Sequence, residues 1–291
     1  MRRRPVAVLI ALVLWPGLAW ADEVTFAGRA SWPSDFGPGG WSAIEVSDDG
    51  SRFVAVSDRG WVATGGLARD NGTLIAIHPE TLDQLIDRDG DSMSKRKADS
   101  EGLALDASGG LNISFEGVGR VWRYGQPGAR PTARPRPDAF RHLQPNSGLE
   151  ALAIDPQGRL VAIPERSGLL ARPFPAYRLE NGTWRIAFQI PRHGEPLPAG
   201  ADFDAGGALY LLERHFGGII GFATRVRRFR LDDNGILSEE TLLETRLGRH
   251  GNLEGIAVWP GPDGCEMLTM IADDNQRFLQ RSEIVEYRVC P

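Results

Sequence analysis

The stretch that decides the fold is Glu150-Ala151-Leu152-Ala153-Ile154-Asp155, a turn at Gly158, the apolar run of residues 160–164, and the closing pair Glu165-Arg166. It reads as a β-hairpin, two short apolar runs joined by an Asp/Gly turn, with an acid at each open end. The same plan recurs on both sides. Upstream it reappears as Glu101 to Gly109 with residues 111–115 and Glu116, and as residues 41–50 followed by residues 53–57 and Asp58. Downstream, Asp202 and Gly206 lead through residues 209–212 to Glu213-Arg214, and Glu254 leads through Gly264 and residues 267–272 to Asp273.

Turn glycines at Gly50, Gly109, Gly158, Gly206 and Gly264 recur at intervals of 48 to 59 residues. Further strand-like runs fall between the hairpins, at residues 73–77, 120–124, 184–189, 226–231 and 284–289. Four strands per repeat of about 50 residues is the blade plan of a β-propeller. The expectation is therefore an all-β propeller of four-stranded antiparallel blades. Six blades are expected, five hairpins plus a divergent or split unit, with five as the alternative. A strand near Val24 should close the last blade. A β-sandwich would not carry this periodicity, and no stretch has the length and caps of helices in an α/β fold.

Composition agrees. Of 291 residues, 35 are Gly and 20 Pro, a share of about 19% against roughly 12% on average, which calls for many turns. A formal net charge of −5 speaks against a nucleic-acid partner. Arg2, Arg3 and Arg4, an apolar run over residues 6–14 and Ala19-Trp20-Ala21 form the three parts of a secretory signal. We expect residues 1–21 to be cleaved, leaving residues 22–291 as one propeller domain. The protein would be periplasmic or secreted, without stable membrane insertion, and a monomer. An oxidising compartment permits Cys265 and Cys290 to pair.

Several phrases resemble the phytase-like family, whose domain is described as the esterase-like activity of phytase. They are Ala55-Val56-Ser57-Asp58-Arg59-Gly60, Asp99-Ser100-Glu101-Gly102-Leu103-Ala104, Asn146-Ser147-Gly148-Leu149-Glu150, Pro198-Ala199-Gly200-Ala201-Asp202, Leu212-Glu213-Arg214-His215-Phe216, Asn252-Leu253-Glu254-Gly255 and Asp273-Asp274-Asn275 with Gln280-Arg281. The resemblance implies an exported propeller that hydrolyses phosphoesters or other esters.

Two acidic positions recur with the repeat: Glu101, Glu150 and Glu254 open the hairpins, with Asp202 displaced in the fourth. Asp58, Glu116, Glu165, Glu213 and Asp273 close them. Both ends of a hairpin return to one sheet edge, so radial repetition would gather these carboxylates at one mouth of the central channel. Such crowding calls for cations, Arg partners or neutral carboxyls. Catalytic roles are assigned to Glu101, Glu150, Glu254, Asp58 and Glu213. Calcium or another divalent cation would be held by Glu101, Glu150, Asp202, Glu254 and Asp273. A small anionic or ester substrate would meet Arg59, Arg166, Arg214, His215 and Arg281. The alternative is a non-catalytic periplasmic propeller that binds a ligand or protein partner, with the acids structural. Asp87-Arg88-Asp89-Gly90-Asp91 alternates like a calcium loop, but Ser92 and Ala98 replace its required Gly and Glu, and it reads as a solvated turn. No G-x-S-x-G elbow, phosphate loop, H-E-x-x-H or Cys/His zinc pattern is present.

Overall fold

The computed structural model describes residues 22–143, 148–274 and 282–291. It is all-β, with twenty strands in this span. Strand β1 (Glu23–Ser31) is followed by β2 (Trp41–Val46), β3 (Arg52–Ser57), β4 (Trp61–Asp70) and β5 (Thr73–Gln84), which form the first blade. The short helix α1 (Lys95–Ala98) leads into the second, β6 (Ser100–Leu105), β7 (Leu111–Phe115), β8 (Arg120–Tyr124) and β9 (Thr132–Ala133). After α2 (Asp138–Arg141) come β10 (Leu149–Ile154), β11 (Leu160–Pro164), β12 (Phe174–Glu180) and β13 (Thr183–Ile190). The fourth blade is β14 (Leu197–Phe203), β15 (Leu209–Phe216), β16 (Phe222–Asp232) and β17 (Gly235–Glu244). The fifth is β18 (Asn252–Pro260), β19 (Glu266–Asp273) and β20 (Glu283–Cys290), completed by β1 on its outer edge.

The described residues thus make five blades, the stated alternative, and the preferred expectation of six is corrected. The split unit is not an extra blade. Its N-terminal part, β1, pairs antiparallel with β20 from Glu23↔Cys290 to Ser31↔Glu283, and so supplies the strand that the fifth blade lacks. This closes the ring as the reading of Val24 anticipated. The inner strands β2, β6, β10, β14 and β18 each pack on the next, and β18 returns to β2.

Close approach of neighbouring inner strands selects small residues. A Cβ on Gly255 would lie 2.6 Å from the Ala43 Cα, and one on Gly102 would lie 2.7 Å from the Leu152 Cβ. Between blades, Val, Ile, Leu and aromatic side chains form the cores, such as Ile163, Phe174, Leu211 and Phe229 between the third and fourth.

Cys265 and Cys290 are bonded across a separation of 25 residues, tying the ends of β19 and β20 together. By loop-closure entropy the bond is expected to contribute about 3 kcal/mol. Urea unfolding with and without reductant should show this as a lowered midpoint; equal midpoints would refute it.

Candidate active site

A single backbone device recurs in all five blades. Pairing of the inner strand with its neighbour is interrupted between Trp41 and Ala43, Ser100 and Leu103, Leu149 and Ala151, Pro198 and Gly200, and Leu253 and Gly255. A β-bulge inserts an unpaired residue and re-aims its side chain. The inserted positions hold Ser42, Glu101 with Gly102, Glu150, Ala199 and Glu254. Three of the five bulges therefore deliver a glutamate to the same end of the channel. One residue beyond each second strand's pairing with these starts stand Asp58, Glu116, Glu165, Arg214 and Asp273.

The fourth blade departs from the expected set, for one reason. Two glycines are adjacent there, and the turn uses the second. Gly207 has φ +85° and donates its N–H to the Asp204 carbonyl at 3.0 Å, as Gly158 does to Asp155. The repeat is thereby displaced by one residue, which turns each side chain to the opposite face. Arg214, not Glu213, takes the closing position, and Ala199 takes the opening one.

Glu213 instead lies fully buried against the next strand, 2.7 Å from Arg225 and 2.8 Å from Arg227, which also donates to the Pro191 carbonyl. It fastens strands and does not line the mouth. Glu213→Gln is expected to cost about 2 kcal/mol through weakened charge-assisted hydrogen bonds, measured by thermal melting.

Asp202 is also moved away from the mouth. Its Oδ2 accepts the Val258 N–H at 2.6 Å and its Oδ1 the Phe203 N–H at 2.7 Å, joining the fourth blade to the fifth. Glu45, at the corresponding place in β2, accepts the Leu105 N–H at 3.4 Å. The other three strands carry Ala104, Ala153 and Ala257 at this level. Burial raises Asp202 to about 7 and pushes Glu45 up as well, with Asp202 adding to it.

At the mouth, Arg214 is the central cation. It donates to Glu254, to the Asn252 Oδ1 at 3.1 Å and to Glu165 at 3.5 Å, while the Asn252 amide donates to Glu254 at 2.6 Å. Burial alone would weaken its charge, but Glu254, Glu150, Glu165 and Glu101 together hold it more firmly protonated than a free arginine. Burial pushes Glu150 well above the carboxylate range against the pull of Arg214, and raises Glu254 against both Arg214 and Asn252. Glu101 is raised by burial first, then by Glu150, Glu254, Asp99 and Glu116.

The tightest carboxylate group is Asp99, Glu101 and Glu116, whose nearest oxygens all lie within 4.8 Å of one another. Asp99 is raised to about 7 by burial, then by Glu116 and Asp58. An all-carboxylate set of this spacing has the hard oxygen donors that a calcium-like cation takes. Asp99 was not among the expected site residues, although it opens the phrase Asp99-Ser100-Glu101; nor was Asn252, which opens another.

Arg59 donates to the Pro38 carbonyl and lies 3.8 Å from Asp58, and Arg166 lies 3.2 Å from Glu165. His215 faces the side opposite to Arg214, 3.5 Å from Glu195, in a separate pocket of about 220 Å³. Arg281 lies outside the described residues, as does the segment 1–21. The Asp87 carboxylate is taken by the N–H groups of Asp89 and Asp91 at 2.9 and 3.0 Å, the solvated turn expected of that loop.

No curated protein matches the chain by sequence. Among solved structures, similarity extends to a PQQ-bound aldose sugar dehydrogenase from Streptomyces coelicolor, with 13% identity, TM-score 0.48, and 92% of this chain and 98% of that one covered. It extends also to the calcium-binding protein regucalcin from Agrobacterium tumefaciens, at 14% identity, TM-score 0.45, and 87% and 78% coverage. A gluconolactonase from Xanthomonas campestris shares 14% identity at TM-score 0.45, over 85% of this chain and 72% of that one. The phytase-like family profile, described as esterase-like activity of phytase, matches residues 37–276. With most of its length inside that match, from the first strand of the first blade to the second strand of the fifth, the chain belongs to the phytase-like family.

Proposed function

We propose that the protein is an exported, monomeric, one-domain hydrolase of phosphate or other esters that works at the acid mouth of the channel with a divalent cation, calcium being the best fit. The observation that carries this reading is the Asp99–Glu101–Glu116 group within 4.8 Å. Fastening blades requires no such convergence, and crowding like charges costs free energy unless a cation offsets it. Asp99, Glu101 and Glu116 would hold the cation, and when bound it would polarise the ester oxygen and neutralise developing charge.

The chain's own residues supply the proton traffic. In hydrolysis the water oxygen bonds to phosphorus or acyl carbon, the ester bond breaks, and one proton passes from the water to the leaving alkoxide. Asp58, whose Oδ1 accepts no hydrogen bond from the described residues, takes the proton of the attacking water. Glu150, whose burial raises its carboxyl well above the usual value, donates one to the leaving oxygen. Arg214 holds Glu254 and Glu165 in place and keeps the mouth assembled.

The test is release of nitrophenol from p-nitrophenyl phosphate and p-nitrophenyl acetate by the chelator-treated protein, with and without calcium. Calcium-dependent turnover of either supports the reading. Absence of turnover of both at saturating calcium, or turnover that survives chelation unchanged, overturns it.

A further inference from the structure

We propose that the mouth side of the third and fourth blades is a docking face for a membrane surface with anionic headgroups, entered by two apolar loop tips and held by the arginines around them. The protein would lie on the leaflet without spanning it, with the channel mouth turned towards the lipid. This docking face is independent of the reaction assigned to the mouth.

Exposed apolar surface is concentrated at one place. Nine large hydrophobic side chains are exposed among the described residues, and five of them, Leu169, Leu170, Phe216, Ile219 and Ile220, gather at two loops. One loop joins β11 to β12 and the other joins β15 to β16. Each follows its strand just past a mouth residue, Glu165 in one case and Arg214 in the other, so both project from the mouth side. The connection from β13 to β14 runs between them. Its Arg192 donates to the Leu169 carbonyl at 3.3 Å, and its His193 carbonyl accepts from Arg225 of β16 at 3.0 Å. The other four exposed apolar residues are spread singly over β1, β5, β13 and β17. Single ones are ordinary, whereas a cluster marks an interaction site.

The shape of the loops suits lipid. A segment entering a low-dielectric layer has to satisfy its backbone groups internally. In the first loop the Arg172 N–H donates to the Leu169 carbonyl at 3.0 Å, and the Ser167 hydroxyl donates to the Arg172 carbonyl at 2.6 Å. In the second the Gly217 N–H donates to the Gly221 carbonyl at 2.8 Å, and the Gly221 N–H to the Gly218 carbonyl at 3.2 Å. The Phe216 and Phe222 rings lie 5.0 Å apart at its base. Leu169-Leu170 and Ile219-Ile220 are thereby left at the tips, with Ile219 fully exposed. A fluid layer deforms around two separate convex tips, whereas a protein partner would need two matched sockets.

Charge supplies the headgroup chemistry. The chain has a formal net charge of −5, yet the mouth-side connections of this sector, residues 166–173, 191–196, 217–221 and 245–251, hold five arginines and one acid, Glu195. Arg166, Arg172, Arg246 and Arg249 are exposed. The last two belong to the connection from β17 to β18, which the Gly248 N–H ties to the Phe222 carbonyl at 2.8 Å. Apolar tips flanked by arginines combine burial in the interface with attraction to anionic lipid.

Co-sedimentation of the mature protein with vesicles is the test, run in chelator so that calcium cannot bridge the acids to lipid. Wild type should bind vesicles of phosphatidylglycerol mixed with phosphatidylcholine, and bind phosphatidylcholine alone at least about tenfold more weakly. Leu169→Ser with Leu170→Ser, and Ile219→Ser with Ile220→Ser, should each weaken binding to the mixed vesicles at least about tenfold. Arg172→Gln with Arg246→Gln should weaken it about tenfold. Leu237→Ser, beside the turn at the opposite end of the fourth blade, should change nothing. Failure of the wild type to bind the mixed vesicles overturns the proposal, as does binding undiminished in both double-serine variants or binding that appears only with added calcium. A dimer that Ile219→Ser with Ile220→Ser abolishes, seen by sedimentation velocity without any vesicle binding, would make the face a protein interface and overturn it equally.

Discussion

Replacing Arg214 with methionine is expected to lower the melting temperature by about 10 °C at pH 8 and by markedly less at pH 5. The guanidinium is the shared partner of Glu254 and Glu165, and its field also steadies Glu150 and Glu101. Removing one member of a buried charge network leaves the others uncompensated, at a cost of about 3–5 kcal/mol. The pH dependence identifies the cause. Without Arg214 the folded state disfavours ionised carboxyls still more, so protonation at pH 5 relieves much of the loss. Differential scanning calorimetry at both pH values is the check. An equal drop at each would mean that the arginine acts through packing alone, and the electrostatic account would fail.

Glu101→Gln is expected to make the calcium-free protein melt a few degrees higher at pH 8, while abolishing its calcium response and slowing ester turnover at least 100-fold. Glu101 is the residue through which the Asp99–Glu116 group and the Arg214 network meet. Its neutralisation removes repulsion in the empty mouth and a ligand oxygen from the filled one. Calcium at about 100 times its dissociation constant stabilises by about 2.7 kcal/mol, or roughly 5–10 °C for a chain of this size. Wild type should show that rise and Glu101→Gln should not.

The wild type's own pH profile follows from the same groups. Asp58, Asp99, Glu101, Glu150, Asp202 and Glu254 all have folded pKa values above their unfolded ones, because burial disfavours the charge. Their contribution is fully present below about pH 4, near the unfolded carboxylate values. It is lost as pH rises through the folded values, about 7 for Asp99 and Asp202. His250 opposes them: burial lowers it to about 4, so it stabilises as pH rises through 6.5. Glu45 and Glu266 are raised in the same way, and one histidine against all these carboxyls leaves a calcium-free melting temperature that falls between pH 5 and 8. Calcium should flatten this slope in wild type.

Much of this was legible without coordinates. The Asp/Gly hairpins announced the blades, Val24 the closing strand, and the recurring Glu101, Glu150 and Glu254 the composition of one channel mouth. The sequence favours six blades over the alternative of five because β1 is separated from β20 by the whole chain, and a lone strand at each terminus reads as a divergent unit. Asp99 and Asn252 carry no signal of their own in the sequence, because neither stands at a recurring acidic position. Only bulge geometry tells that the residue two before each of the inserted Glu101 and Glu254 shares the mouth with it.

The sequence by itself determined the architecture, because hydrophobic alternation and turn chemistry are local and repeat five times. It also determined which residue types crowd the channel, since radial repetition superposes equal positions. Only the tertiary structure decided which acid faces which way. In the fourth repeat Gly206 and Gly207 both suit a turn, and local propensity cannot choose between them. Pairing with neighbouring strands selects Gly207, and with a side-chain period of two that single step turns Glu213 into the fold and brings Arg214 to the mouth.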